Sequence, residues 1–276
     1  MSIKVKFYGT RGSIPVCNPE FQTYGGNTTC ILLSSPDSDA IGIFDAGTGI
    51  RDLGKDLVNA PGALPKDIFL TFSHFHWDHI QGFPFFAPAY IPQQSITLLA
   101  MGEKRATTNL KEIFENQMQE AFFPVKLNEM GANFHFTFFQ SGSAILGKAH
   151  LKAIPHQHPG GAYSYRVDQG NKSVVICTDI EHGPSIDQNI VEFARNADLL
   201  IHDAQFTQEE LRTKSGWGHS SYEQAIEVAR QAGVKQLVMT HHDPDHDDQF
   251  LKKIEVQCQK LFPNCLLAKE KMEIEI

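Results

Sequence analysis

Ser73-His74-Phe75-His76-Trp77-Asp78-His79 packs three imidazoles and a carboxylate into seven residues, directly after the apolar run Ile68–Phe72. That density is too tight for one face of a regular helix. As a loop leaving a strand it can serve two cations, with His74 and His76 pointing one way and Asp78 and His79 turned toward a second position. A lone histidine in a surface loop carries little information. This spacing carries much more, because the same habit recurs along the chain: Leu151–Pro155 runs into His156-Gln157-His158, Val174–Cys177 into Thr178-Asp179, Leu199–Ile201 into His202-Asp203, and Leu237–Thr240 into His241-His242-Asp243. Five buried-type strands each deliver His or Asp at the carboxyl end, the edge of an α/β sheet where ligands bind.

Around these ends the periodicity predicts strands at Ile3–Tyr8, Thr29–Leu33, Ile41–Asp45, Ile96–Ala100 and Phe134–Phe139, with a last one in Lys271–Ile276. Ser220-Ser221-Tyr222-Glu223 reads as a capping box opening a helix that stops at Gly233. A second helix carries Leu251, Ile254, Cys258 and Leu261 on one face, and Lys104 to about Met118 is a third. The mixture predicts a layered α/β domain.

The H-x-H-x-D-H stretch after a strand resembles the hallmark of the metallo-β-lactamase superfamily, and the resemblance extends over nearly the whole chain. It implies a four-layer αβ/βα sandwich in which residues 1–276 form one domain. His158 is preferred to His156 because His158-Pro159-Gly160-Gly161-Ala162-Tyr163-Ser164-Tyr165 resembles the phosphodiesterase branch, and His241 to His242 because Met239-Thr240-His241 does. The resemblance then implies His74, His76 and His158 on one metal, Asp78, His79 and His241 on the other, and Asp179 bridging both. Imidazole and carboxylate without thiolate suit two divalent ions, Zn²⁺ first and Mn²⁺ as the alternative. Such a pair, about 3.5–4 Å apart, can share a bridging hydroxide as the attacking group. His76 stands where flavodiiron relatives carry Glu, which argues against a redox centre.

Leu200-Ile201-His202-Asp203-Ala204-Gln205, followed by Gly218-His219-Ser220-Ser221, is similar to paired motifs of the tRNA 3′-processing endonucleases, with Asp replacing Glu. On that likeness His219 is the candidate general acid and Asp203 its partner, while Asp78 shares the catalytic centre as a ligand. Gly9-Thr10-Arg11-Gly12-Ser13-Ile14-Pro15 and Asp45-Ala46-Gly47-Thr48-Gly49 add to the family likeness. There is one departure. Only Asp168–Lys172 separates Tyr165-Arg166 from the strand leading to Asp179, where the tRNA enzymes can carry a long substrate-gripping arm.

Composition bounds the substrate. Across 276 residues there are 24 Lys+Arg against 32 Asp+Glu, a net charge of −8 and a sequence pI near 5.9. A binder of long nucleic acids needs a basic stripe to displace counterions, and the basic runs here reach only Lys104-Arg105 and Lys252-Lys253. The expectation is therefore a small phosphodiester, a cyclic nucleotide or a cyclic sugar phosphate, with no long nucleic acid and no membrane partner; a homodimer is compatible with the sequence. A lactone or thioester hydrolase on the same metals, or a ligand-binding protein with little turnover, are the alternatives. Five cysteines without C-x-x-C spacing, no apolar signal segment and no membrane-length apolar run place the chain in a reducing cytoplasm. Among other polar residues, Arg11 is weighed as a phosphate ligand against a turn residue, and Phe83-Pro84-Phe85-Phe86 with Tyr90 as a base-stacking wall against core.

Overall fold

A computed structural model describes residues 2–102, 109–139 and 142–276. The strands are β1 Lys4–Gly9, β2 Cys30–Ser34, β3 Ala40–Phe44, β4 Asp67–Thr71, β5 Ser95–Met101, β6 Asn133–Phe139, β7 Ser143–Leu146, β8 Ala149–His156, β9 Ala162–Gln169, β10 Lys172–Cys177, β11 Leu199–Asp203, β12 Gln236–Thr240, β13 Cys265–Leu267 and β14 Glu273–Glu275. They form two sheets, ordered β14-β1-β2-β3-β4-β5-β6 and β13-β12-β11-β10-β9-β8-β7. Within the first, β3 to β6 run parallel; within the second, β10 to β13 do. The helices are α1 Ile50–Asn59, α2 Trp77–Ile80, α3 Leu110–Gln117, α4 Gln188–Phe193, α5 Gln208–Leu211, α6 Tyr222–Ala232 and α7 Asp248–Leu261.

Three apolar layers explain the order. Val5 and Phe7 of β1 meet Val174, Leu199 and Ile201 of the other sheet in a core between the sheets. The side chains between those positions point outward. Val175, Leu200 and Leu237 are covered by Ile190 of α4, Ile226 of α6 and Leu251 of α7, and Ile43, Ile68 and Leu70 by Leu53 of α1 and Phe114 of α3. A parallel strand buried on both faces reads as an unbroken apolar run, which is why β10, β11 and β12 were conspicuous in the sequence. The result is the expected α/β sandwich of four layers. No helix among the described residues is long and apolar enough to cross a membrane.

The structure corrects several details. The cap of α6 is Ser221, whose hydroxyl accepts from Gln224 N while Gln224 returns the bond, so the box sits one residue later than the Ser220–Glu223 reading. Ser220 Oγ donates instead to the Ile180 carbonyl, 2.5 Å away. Gly233 closes the helix at φ 65°, a left-handed value that favours glycine. The third helix starts at Leu110, capped by Asn109, and positions 104–108 of the expected span lie outside the described residues. On α7, Leu251 and Cys258 face the core, but Leu261 is half exposed and Phe262 packs in its place. Strands β7, β9 and β13 and the helices α1, α4 and α5 were not expected, nor was α2, which lies in the stretch read as a loop. In β9 the alternation of Tyr163, Tyr165 and Val167 is a strand signal that family likeness had masked.

Candidate metal centre

Because β3, β4, β10, β11 and β12 run parallel within their sheets, their carboxyl ends deliver Asp45, His74, Asp179, Asp203 and His241 to one edge of the sandwich. The chain then bends sharply. Asp45, Asp179 and His241 all have φ between 57° and 63°, as does Ser13 at 62°. Among the described residues, four of the seven non-glycine residues with positive φ thus lie at this edge, where such strain, of order 1–3 kcal/mol each, is held by the surrounding bonds. After β4 the chain stays extended to His76, which caps the single turn α2; that turn sends Asp78 and His79 inward.

Two donor groups result. His74, His76 and His158 each offer a ring nitrogen within 4.8 Å of the others, and Asp78, His79, Asp179 and His241 form a second such group. Asp179 faces both: its Oδ1 lies 3.9 Å from His74 Nε2 and 3.2 Å from His241 Nε2, and its Oδ2 lies 3.1 Å from His79 Nε2. Except for His76, at the exposed mouth, every one of these seven side chains is buried.

The outer nitrogens show how the rings are aimed. Asp45 Oδ2 accepts from His79 Nδ1 at 2.9 Å and from Ser73 Oγ at 2.8 Å, and Ser73 Oγ in turn accepts from His74 Nδ1 at 3.1 Å. His158 Nδ1 donates to the Gly218 carbonyl at 2.9 Å and His241 Nδ1 to Gln205 Oε1 at 3.1 Å. Four histidines therefore spend the Nδ1 proton outward and turn Nε2 inward, the arrangement that fixes a metal-ligating tautomer. Of these supports, sequence reasoning missed Asp45, Ser73 and Gln205 as functional. Asp45 had the signal, since it ends β3 as Asp179 follows β10.

Three atoms test whether a cation fits. His74 Nε2, His79 Nε2 and Asp179 Oδ2 are buried without a hydrogen-bond partner, the short His79–Asp179 approach lacking the alignment of a hydrogen bond. Orphaned donors and acceptors in a buried site are costly unless something else binds them. His76 Nδ1 and His158 Nε2 also face each other at 3.1 Å. A hard-to-intermediate cation in each group satisfies all of these atoms, so the residues fit two divalent metals.

Protonation differs between the groups. Burial, then the neighbouring imidazole His79, holds His74 well below the usual histidine range, and burial also lowers His158. In the other group burial acts in the same direction but the carboxylates win: Asp179, Asp78 and Asp45 raise His79 well above its ordinary value, and Asp179, Asp78 and Asp203 push His241 up to about 9. Burial would raise Asp78, but His79 and His241 hold it far below the usual carboxylate range.

A third arrangement adjoins these. His219 Nδ1 donates to Asp203 Oδ2 at 2.9 Å, and Asp203 Oδ1 accepts from Ser220 N at 2.8 Å. The His219 ring stacks on His241, with centroids 4.9 Å apart and planes at 22°. Asp203, His219 and His241 also lie within one metal-sized cluster, but Asp203 Oδ2 is nearer to His219 than to His241, at 3.5 Å, and the His241 nitrogen turned to the metal donors is Nε2.

The remaining polar residues are structural. His156 joins Ser164 Oγ to the Asp179 carbonyl, and His242 Nε2 donates to the Ala268 carbonyl. Arg11 is fully buried, bonding the carbonyls of Gly25, Asp243 and His246, which answers the phosphate question with a packing role. His246 is buried between Tyr222 and Glu210. Of the aromatic run, Phe83 and Phe86 are core, whereas Phe85 and Tyr90 stay exposed.

Known proteins agree with this architecture. A profile of the beta-lactamase superfamily domain matches residues 43–242, the greater part of the chain. The chain belongs to that superfamily. It is 26% identical to a protein named ribonuclease Z from Prochlorococcus marinus (strain NATL1A), over 99% of each chain. The fold is similar to the metallo-β-lactamase fold protein YhfI of Bacillus subtilis, at 23% identity and a TM-score of 0.71 over 100% of this chain and 99% of that one. It is also similar to a diphosphatase of the PhnP family, at 17% identity and a TM-score of 0.71 over 100% and 98%. The ribonuclease Z alignment runs over 331 positions against 276 residues here, so at least 55 of its positions have no counterpart in this chain. At the place where an arm can be inserted, β9 and β10 are joined by Gly170 and Asn171 alone.

Proposed function

We propose that this superfamily hydrolase is a dinuclear metal-dependent phosphodiesterase for a small phosphodiester, a cyclic nucleotide or a cyclic sugar phosphate. The observation that carries it is the His219–Asp203 pair stacked on His241, beside two donor groups that share Asp179. Residues 1–276 are read as one metallo-β-lactamase-like domain, supported by the core common to both sheets.

His74, His76 and His158 would hold one cation, Asp78, His79 and His241 the other, with Asp179 shared; Zn²⁺ suits the donors best and Mn²⁺ next. When bound, the metals supply Lewis acidity toward a phosphoryl oxygen and toward a water. The chain supplies the rest. Asp45 and Ser73 aim His79 and His74, Gln205 aims His241, and Gly218 aims His158. Asp203 fixes the Nδ1 proton of His219, which leaves Nε2 as the edge that hands a proton to the departing alkoxide. A thioester hydrolase gains less from such an acid, because its thiolate leaving group needs little protonation.

A second reading, cleavage near the 3′ end of an RNA, is favoured by the ribonuclease Z name of the full-length relative. The two-residue β9–β10 turn, the 55 missing positions and the charge of −8 weigh against it.

A substrate panel tests the choice: Zn- or Mn-loaded protein with cyclic nucleotides, cyclic sugar phosphates, a tRNA precursor, lactones and thioesters. Turnover of cyclic phosphodiesters well above all others is expected. Lactone hydrolysis faster by orders of magnitude, or efficient tRNA 3′ cleavage with inert cyclic diesters, contradicts the proposal.

A further inference from the structure

The chain has two tryptophans, Trp77 and Trp217, both 60% or more exposed and each a chain neighbour of a residue at the candidate metal centre or of its support. Trp77 lies between His76 and Asp78, both metal donors by the reading above. Trp217 precedes Gly218, whose carbonyl accepts from His158 Nδ1. A third exposed apolar residue, Ile14, follows Ser13, whose backbone N–H donates to Asp78 Oδ2 at 2.9 Å. Each is one residue, about 3.8 Å of backbone, from a group that touches the centre.

The exposure of Trp217 is built. Glu181 grips its loop from both sides, accepting from Gly216 N at 2.7 Å and from Gly218 N at 2.8 Å. Gly216 and Gly218 have φ of 87° and 94°, a conformation that glycine alone tolerates well, and a Cβ on Gly218 would meet His158 Nδ1 at 2.2 Å. Lys214 Nζ lies 5.2 Å from the Trp217 ring centroid and 4.7 Å from that of Phe206, which packs edge-on against His219. A large apolar ring held out in water by such a scaffold forgoes the burial that usually stabilises it, and a flat partner restores that burial.

We propose that Trp77 and Trp217 form a stacking surface for a nucleobase carried by the phosphodiester, so that the substrate is a nucleotide and not a sugar phosphate alone. The inference rests on the phosphodiesterase reading for the phosphoryl group and goes beyond it for the base. A nucleobase is flat, neutral and linked to its phosphate by a single sugar, which matches tryptophans one residue from the donors. A base also suits an acidic chain better than a run of further phosphates would.

Because the chain has no other tryptophan, indole fluorescence reports on the proposed surface. Metal-loaded protein is titrated with AMP and, separately, with ribose 5-phosphate, which differ only in the base; the latter is followed by its competition with AMP. AMP should quench saturably and bind about tenfold tighter or more, since a stacked base contributes about 1–3 kcal/mol. Trp217→Ala should weaken AMP binding by about 5- to 100-fold while leaving ribose 5-phosphate affinity in place, and Trp217→Phe should restore most of the loss. Equal affinities for the two ligands, or a nucleotide-free dimer that already buries both indoles, overturns the base site. If AMP is preferred and no phosphodiester is ever cleaved, the reaction assignment fails and the base site stands. If diesters are cleaved and the base is ignored, the reverse holds.

Discussion

The Asp203 carboxylate lies 2.9 Å from His219 Nδ1 and is itself buried at the end of β11, held on its other oxygen by the backbone N–H of Ser220. The carboxylate sets the tautomer, and the His241 ring stacked on the imidazole limits its rotation. Replacing His219 with Ala should slow a substrate with an alkoxide leaving group by about 10²–10⁴-fold. A p-nitrophenyl diester, whose leaving group needs little protonation, should be much less affected, and metal content should stay constant. Equal losses on both substrates, or loss of metal, would assign His219 a ligand or structural role.

Metal affinity should depend on pH differently in the two donor groups. His241, held at about 9 by its carboxylate neighbours against the effect of burial, and His79, raised with it, are protonated in the metal-free protein at neutral pH. A cation must displace those protons, so affinity at that group should rise about tenfold per pH unit for each proton released, up to about pH 9. His74 and His158, lowered by burial, are already neutral there, and their group should show little change above pH 7. Calorimetric titrations in buffers of different ionisation enthalpy count the protons. Proton release from neither binding event would contradict the assignment.

Gly218 is needed for a different reason. Its φ of 94° and the 2.2 Å between an ideally placed Cβ and His158 Nδ1 leave no room for a side chain. Gly218→Ala should displace His158, weaken the cation shared with His74 and His76, and leave the other group able to bind. Unchanged metal content in this variant would show that His158 is not required.

His182 gives a prediction about stability. It is buried, its Nδ1 accepts from Asp187 N at 3.2 Å, and its other nitrogen meets His202 Nε2 at 3.2 Å. Burial first, then His202 and His156, push it down to about 3. Between that value and about 6.5 the unfolded chain binds a proton that the folded chain does not. Its contribution is therefore complete above about pH 6.5 and is lost as the pH falls toward 3, at up to about 1.4 kcal/mol per pH unit. Denaturant midpoints should fall from pH 7 to pH 5, and less steeply in His182→Gln; identical slopes would rule His182 out as a cause.

Much of this molecule could be read from the order of its residues. Strands buried on both faces leave unbroken apolar runs, and β10, β11 and β12 therefore announced both themselves and the polar residues after them. The seven residues that the family likeness implied as ligands lie together in two clusters, and His156 and His242 pack nearby. What was hidden depends on distance along the chain. Asp45 reaches His79 across 34 residues and Gln205 reaches His241 across 36, contacts that no local pattern encodes. Arg11 could be read as a phosphate ligand or as a turn residue, and neither reading placed it in the core. The carbonyls that bury it come from positions near 25 and 245. The exposed pair Trp77 and Trp217 was equally illegible, since a tryptophan in a sequence gives no sign of facing water.

The central claim is a paired cation centre that shares Asp179, and metal counting tests it most directly. Protein saturated with Zn²⁺, freed of loosely held metal and analysed by inductively coupled plasma mass spectrometry should hold two equivalents per chain. Asp179→Ala should hold less than one, because its carboxylate faces both donor groups. One equivalent in the wild-type protein at saturation, or two retained without Asp179, would contradict it.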